Sequence, residues 1–163
     1  MHSPDEIASI LSLLAETSTR INSATTGVDH SRLHYKSEEN PWSVNDILAH
    51  LRACADVWGK SIQEMIARDH PTLRYISPRT WVRRTDYPDQ DFEASLQVFT
   101  HQRADLLQTL RSLEAEEWSR GATFTGTTRG REHTVMSYAQ RLVQHENEHC
   151  KQIEEMMDQD RMV

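Results

Sequence analysis

Glycine and proline are scarce, five of each among 163 residues, which argues against a chain of many short strands and tight turns. Few breakers leave room for long helices. Cysteine is scarcer still. Cys54 and Cys150 stand far apart with no C-x-x-C spacing, so neither a disulfide framework nor a zinc ribbon is expected, and both are read as reduced thiols. Positive charge is also in deficit, 18 Lys and Arg against 25 Asp and Glu, for a net charge of -7. That balance disfavours general binding to nucleic acid or to an anionic membrane, which needs a basic face. No run approaches the ~18 apolar residues of a membrane span. The opening segment "MHSPDEIASILSLLAE" lacks the basic region and apolar core of a secretory leader. The expectation is a cytoplasmic protein with one domain over residues 1–163.

What the sequence has is helical periodicity. Ser3, Pro4 and Glu6 read as the start of a helix, with a hydroxyl cap and Pro in the first turn. Ile7, Ile10, Leu11, Leu14 and Ile21 then form one stripe, to about Ala24. A second helix opens at Ser43, with Asp46 in the box position, and carries Ile47, Leu51, Cys54, Trp58, Ile62 and Met65 on one face. A third spans about Asp91 to Leu113, with Phe92, Leu96, Phe99, Arg103, Leu106 and Leu110 on one side. The fourth begins near Thr134 and aligns Tyr138, Leu142, His145, His149, Ile153 and Met156. Residues 25–41 and 68–90 lose the period and read as long surface loops. The stretch before the last helix, with Gly126 and Gly130, is compatible with a small irregular hairpin or an extended loop. Four such helices without confident sheet strands predict an all-α four-helix bundle.

Within the last helix, "LVQHENEHCKQI" contains the zinc-protease pattern H-E-x-x-H. At 100° per residue His145 and His149 differ by only about 40°, so both point into the bundle. Their Cβ atoms lie roughly 5–6 Å apart along the helix, close enough for two imidazoles to converge on one ion. His50 stands at the border of the second helix's apolar stripe and can supply a third nitrogen. A lone inward His is more often a hydrogen-bonded core residue than a ligand. Two of them one turn apart are costly to bury unless each has a polar partner, and a divalent cation would satisfy both. Nitrogen donors suit zinc, nickel, iron or copper over calcium or magnesium and do not choose among them. The protease reading fares worse. Zinc proteases of this pattern take their third protein ligand from downstream, yet no His follows His149. Glu146 and Glu148 sit about 100° from their neighbouring histidines and are read as solvated or as imidazole partners.

"PWSVNDILAHL" followed, after a long third helix, by "HTVMSYAQRLVQHENEHCKQI" resembles the DinB/YfiT-like superfamily, sometimes grouped as DinB-like metal-dependent hydrolases. The likeness covers nearly the whole chain. It rests on the Trp-Ser helix start with a His seven residues after the Ser, the Phe92 to Leu110 pattern including Arg103, and the final H-x-x-x-H helix. The resemblance implies an up-down-down-up bundle, a divalent metal held by His50, His145 and His149, and frequent homodimers. It further implies thiol-dependent S-transferase or isomerase chemistry with a low-molecular-weight thiol, although many members have no known reaction.

Three protein nitrogens leave coordination positions free, which separates a catalytic metal site from a closed structural one. The expected function is a metal-dependent enzyme acting on a small-molecule substrate, with thiol S-transfer ahead of hydrolysis. The second class is a non-catalytic metal-binding or stress-related dimer. The catalytic group would be a water or thiol on the metal, with Glu146, Arg83 and Arg84 as candidate helpers. Between Arg68 and Asp86 lie five Arg against two Asp, either an anion-binding rim near Tyr75, Trp81 and Tyr87 or, more commonly for such a run, a solvated loop. Arg129 and Arg131 invite the same two readings. Cys54, one turn after His50, can be a nucleophile or a ligand but is read as packing, and Cys150 as inert. His2, His30, His34, His70, His101 and His133 are read as surface or loop residues.

Overall fold

The computed structural model describes residues 1–128 and 130–161, so Arg129 lies outside the described residues. Four long helices dominate it: α1 over Pro4–Thr25, α3 over Val44–Ala67, α5 over Phe92–Arg111 and α6 over Val135–Arg161. Short helices α2 (His30–Leu33) and α4 (Pro78–Val82) lie within the two long connections. The helix starts follow their capping chemistry. Ser3 Oγ accepts from Glu6 N at 3.1 Å. Ser43 and Asp46 complete a reciprocal capping box. Asp91 accepts from Ala94 N at 3.2 Å. At α6, Thr134 and Ser137 bond each other's backbone N–H through their hydroxyls. Each contact satisfies a donor that a helix N-terminus leaves unpaired.

Cross-helix contacts give the directions. Glu6 meets Gln140 and Arg20 meets Glu154, so α1 and α6 run parallel. Arg52 meets Ser95 and Asp56 meets Gln102, so α3 and α5 run parallel. His50 faces His145 while Trp42, before α3, faces His149, so α3 opposes α6. The order is up-down-down-up, with α1 and α3 each packing on both α5 and α6.

Two apolar clusters fill the bundle. One gathers Leu14, Trp58, Ile62, Leu107, Leu110, Trp118, Phe124 and Leu142, the other Ile21, Ile47, Leu48, Phe92, Phe99 and Ile153. Each fully buried side chain of this kind contributes about 1.5–3 kcal/mol. Near their junction every long helix carries a buried or half-buried polar residue. Thr17 lies between Leu14 and Ile21, His50 between Ile47 and Cys54, Arg103 between Phe99 and Leu106, and Glu146 between Leu142 and Cys150.

The connections hold more structure than their composition suggests. Strand β1 (Thr72–Arg74) pairs in parallel with β2 (Gly121–Thr125), which pairs antiparallel with β3 (Glu132–Thr134). Of the two readings of the stretch before the last helix, the hairpin is therefore the one present, and the second long loop adds a strand to it. Gly126 turns the hairpin at φ 75°, a left-handed conformation that favours glycine. At Gly121 the reason is space, because a Cβ there would lie 2.7 Å from His133 O. The 68–90 segment is tied down by Asp56 on α3, which accepts from Trp81 Nε1 at 3.0 Å and Tyr87 Oη at 2.6 Å. No described helix is long and apolar enough to cross a membrane.

Candidate metal centre and its cavity

His50 comes from the second turn of α3, His145 and His149 from successive turns of α6, and the antiparallel packing brings all three together. One ring nitrogen from each lies within 4.8 Å of the others. His50 Nε2 and His145 Nε2 are 2.9 Å apart. Four-coordinate zinc with nitrogens at 2.0–2.1 Å would hold them ~3.3 Å apart, so a shift of a few tenths of an ångström admits an ion. Two facing nitrogens of this kind share one proton or one cation. His149 Nδ1 lies 3.0 Å from Gln152 Oε1. The amide oxygen can only accept, so Nδ1 carries the proton and Nε2 keeps its lone pair, as an outer partner does for a metal-bound imidazole. The donor set fits a borderline divalent cation.

The electrostatics favour neutral imidazoles. Burial first, then the neighbouring histidines and Arg79, lowers His50 to about 4. Burial first, then His149, with smaller contributions from Arg141 and Arg79, lowers His145 to about 4. A metal requires the neutral ring, so at neutral pH no proton has to be displaced from either. Trp42 at 5.2 Å from the His50 ring and Trp58 at 5.2 Å from the His145 ring close the sides of the cluster.

The three histidines line a cavity of about 760 Å³. Its walls include Trp58, Tyr75, Phe124 and Tyr138, and Arg79, Arg141 and His133 also face it. Among the described residues no Asp or Glu lines it. Tyr75 follows β1, Ser77 to Arg79 enter α4, and Gly126 to Thr128 lie in the β2–β3 turn, so the small sheet and the second long loop build the mouth.

Other nominated residues fall elsewhere. Glu146 is neither solvated nor an imidazole partner. It is buried against Arg103 in a bidentate ion pair and accepts from Thr17 Oγ1 at 2.7 Å, outside the cavity lining. The Glu of the H-E-x-x-H pattern is thus turned toward α1 and α5, and the protease reading has no general base. Arg83 and Arg84 are exposed and do not line the cavity. Of the Arg-rich loop, only Arg79 does. His133, read as a surface residue, packs 5.1 Å from Tyr138 and 5.5 Å from Phe124 in the cavity wall, and burial lowers its pKa. Cys54 is fully buried, with Sγ 3.6 Å from His50 Nε2, and burial pushes its thiol pKa up, which suits packing rather than attack. Burial also raises Cys150, to about 11. Arg141 was missed although it had a signal: it stands one turn before His145 on the same face of α6.

A family model described as the DinB superfamily matches residues 13–153. No curated protein is a significant match. Among solved structures, YfiT from Bacillus subtilis, described as a probable metal-dependent hydrolase with an unusual four-helix bundle topology, is similar to this chain with a TM-score of 0.84. The identity is 18%, over 98% of this chain and 90% of that one, and the likeness carries the fold.

Proposed function

The chain belongs to the DinB superfamily, and from that premise we propose that it is a metal-dependent enzyme in which His50, His145 and His149 hold one divalent ion, with thiol S-transfer ahead of hydrolysis. The observation that carries the reading is three imidazole nitrogens within 4.8 Å of one another on the wall of a cavity large enough for a small molecule. An ion there supplies Lewis acidity and lowers the pKa of a water or thiol, making either nucleophilic at neutral pH.

The chain's own residues favour the thiol. Hydrolysis calls for proton removal from water and proton delivery to the leaving group, work often done by a carboxyl. Among the described residues the lining holds no carboxyl. A thiol gives up its single proton more readily, and His133, whose pKa burial lowers, faces the same space as a neutral acceptor. Gln152 fixes the tautomer of His149, and the aromatic walls limit water around the reacting groups.

The reading is tested by assaying zinc-, nickel- and iron-loaded protein with a panel of low-molecular-weight thiols and electrophiles, alongside ester and amide substrates. Thiol-dependent turnover that disappears in His145→Ala supports it. Ester or amide cleavage without thiol moves the reaction to hydrolysis, and no turnover by a metal-loaded protein favours a non-catalytic metal binder.

A further inference from the structure

The cavity beside the three histidines has a charge pattern that the metal reading does not use. Arg79 enters it from the first turn of α4 and Arg141 from α6. Neither guanidinium makes a hydrogen bond or ion pair with another described residue, whereas those of Arg20, Arg68 and Arg103 pair with Glu154, Glu64 and Glu146. Instead each guanidinium lies over aromatic rings. Arg79 Cζ is 5.6 Å from the Trp42 ring centre, and Arg141 Cζ is 5.2 Å from Tyr138 and 5.6 Å from Trp58. Stacking of this kind holds a guanidinium plane in place while its N–H fork stays free to donate. Two such forks face a space whose described lining includes no carboxylate to neutralise them.

We propose that Arg79 and Arg141 are the recognition residues of this cavity for a small organic anion with an apolar or aromatic body. The anion takes the N–H forks, which suit oxyanions in bidentate geometry. The body packs against Trp58, Tyr75, Phe124 and Tyr138, placing its far end toward the histidines. The proposal deepens the metal-enzyme reading by naming its substrate class and rests on it for the reaction, but the arginines belong to the chain whether or not an ion is bound.

That independence sets the experiment. Metal-stripped full-length protein is titrated calorimetrically with 3-phenylpropionate and with the neutral 3-phenylpropan-1-ol, so that direct binding of the carboxylate to a metal plays no part. The carboxylate should bind at least about tenfold more tightly, as expected for one charge-assisted hydrogen bond. Arg79→Gln and Arg141→Gln should each reduce that preference several-fold, and Arg141→Lys, which keeps the charge, should retain most of it. Equal affinity for the two probes, binding of neither, or a preference unchanged in both Gln variants overturns the proposal. A carboxylate preference in a protein that takes up no metal would instead sink the metal-enzyme reading and leave the anion pair standing. Metal uptake without the preference would do the reverse.

Discussion

Replacing Arg103 by Met would strand a buried carboxylate one residue from a metal-ligand candidate. The two side chains are almost sealed, Arg103 3% and Glu146 1% exposed. Glu146 receives both guanidinium nitrogens of Arg103 and the Thr17 hydroxyl, and Arg103 also donates to Leu14 O at 3.1 Å. Without the guanidinium only the neutral Thr17 donor remains. Removing one partner of a buried pair costs about 3–5 kcal/mol, whereas replacing both partners by apolar side chains is often near neutral. Arg103→Met should therefore lose about 3–5 kcal/mol, and Arg103→Met/Glu146→Met should recover most of it, less ~1 kcal/mol for the Thr17 hydroxyl left behind. Urea unfolding of metal-free protein at pH 7, followed by circular dichroism, measures both. A single variant within ~1 kcal/mol of wild type, or a double variant as unstable as the single, would show that the buried pair does not act in this way. The pair also fixes the rotation of α6, so the single variant should bind zinc more weakly even where it remains folded.

Lowering pH should weaken metal-free protein through His50 and His145, whose folded values near 4 lie below the ordinary 6.5. The unfolded chain then binds more protons between those values, so this stability is present above about pH 6.5 and is lost as pH falls toward 4. Melting curves across that range should show a steeper slope for wild type than for His145→Gln; parallel slopes would contradict the assignment. Gln152→Leu removes the partner of His149 Nδ1 and should reduce metal affinity by about 10- to 100-fold without unfolding the protein, as read by competition with a chromophoric chelator. Asp56→Ala takes away the acceptor of Trp81, Tyr87 and Gln102 and should cost on the order of 2 kcal/mol, with added protease sensitivity in the 68–90 segment.

The bundle was legible because its signals are local. Ser43 and Asp46 fix where α3 begins, and the stripe through Ile47, Leu51, Trp58 and Ile62 fixes which face turns inward. The interval between His145 and His149 works in the same way, since helix geometry alone puts both on the inner face. The cavity's remaining walls are set by long-range contacts. Strand β1 is three residues long and finds its partner β2 about fifty residues downstream, so no periodicity could reveal it. Arg79, rather than Arg83 or Arg84, reaches the site because Asp56 anchors Trp81 and Tyr87 and thereby sets the path of the loop. The place of Glu146 is not legible in the same way, because amphipathic periodicity assigns a carboxylate to solvent. Its partner Arg103 falls on an apolar stripe, and two charges on inward faces of different helices are the available hint of a buried pair. His133 shows the same limit: only the fold of β3 against Phe124 and Tyr138 brings it into the wall.

The proposed chemistry rests on one divalent ion held by three imidazoles from two helices. Its most direct test is the metal content of protein purified without chelator, measured by plasma mass spectrometry for wild type and for His50→Ala, His145→Ala and His149→Ala. About one zinc, nickel or iron per wild-type chain is expected, with its loss from each folded variant, as for a site with three protein ligands. A wild-type protein without metal that takes none up on addition, or a His50→Ala variant that binds as tightly as wild type, would contradict it.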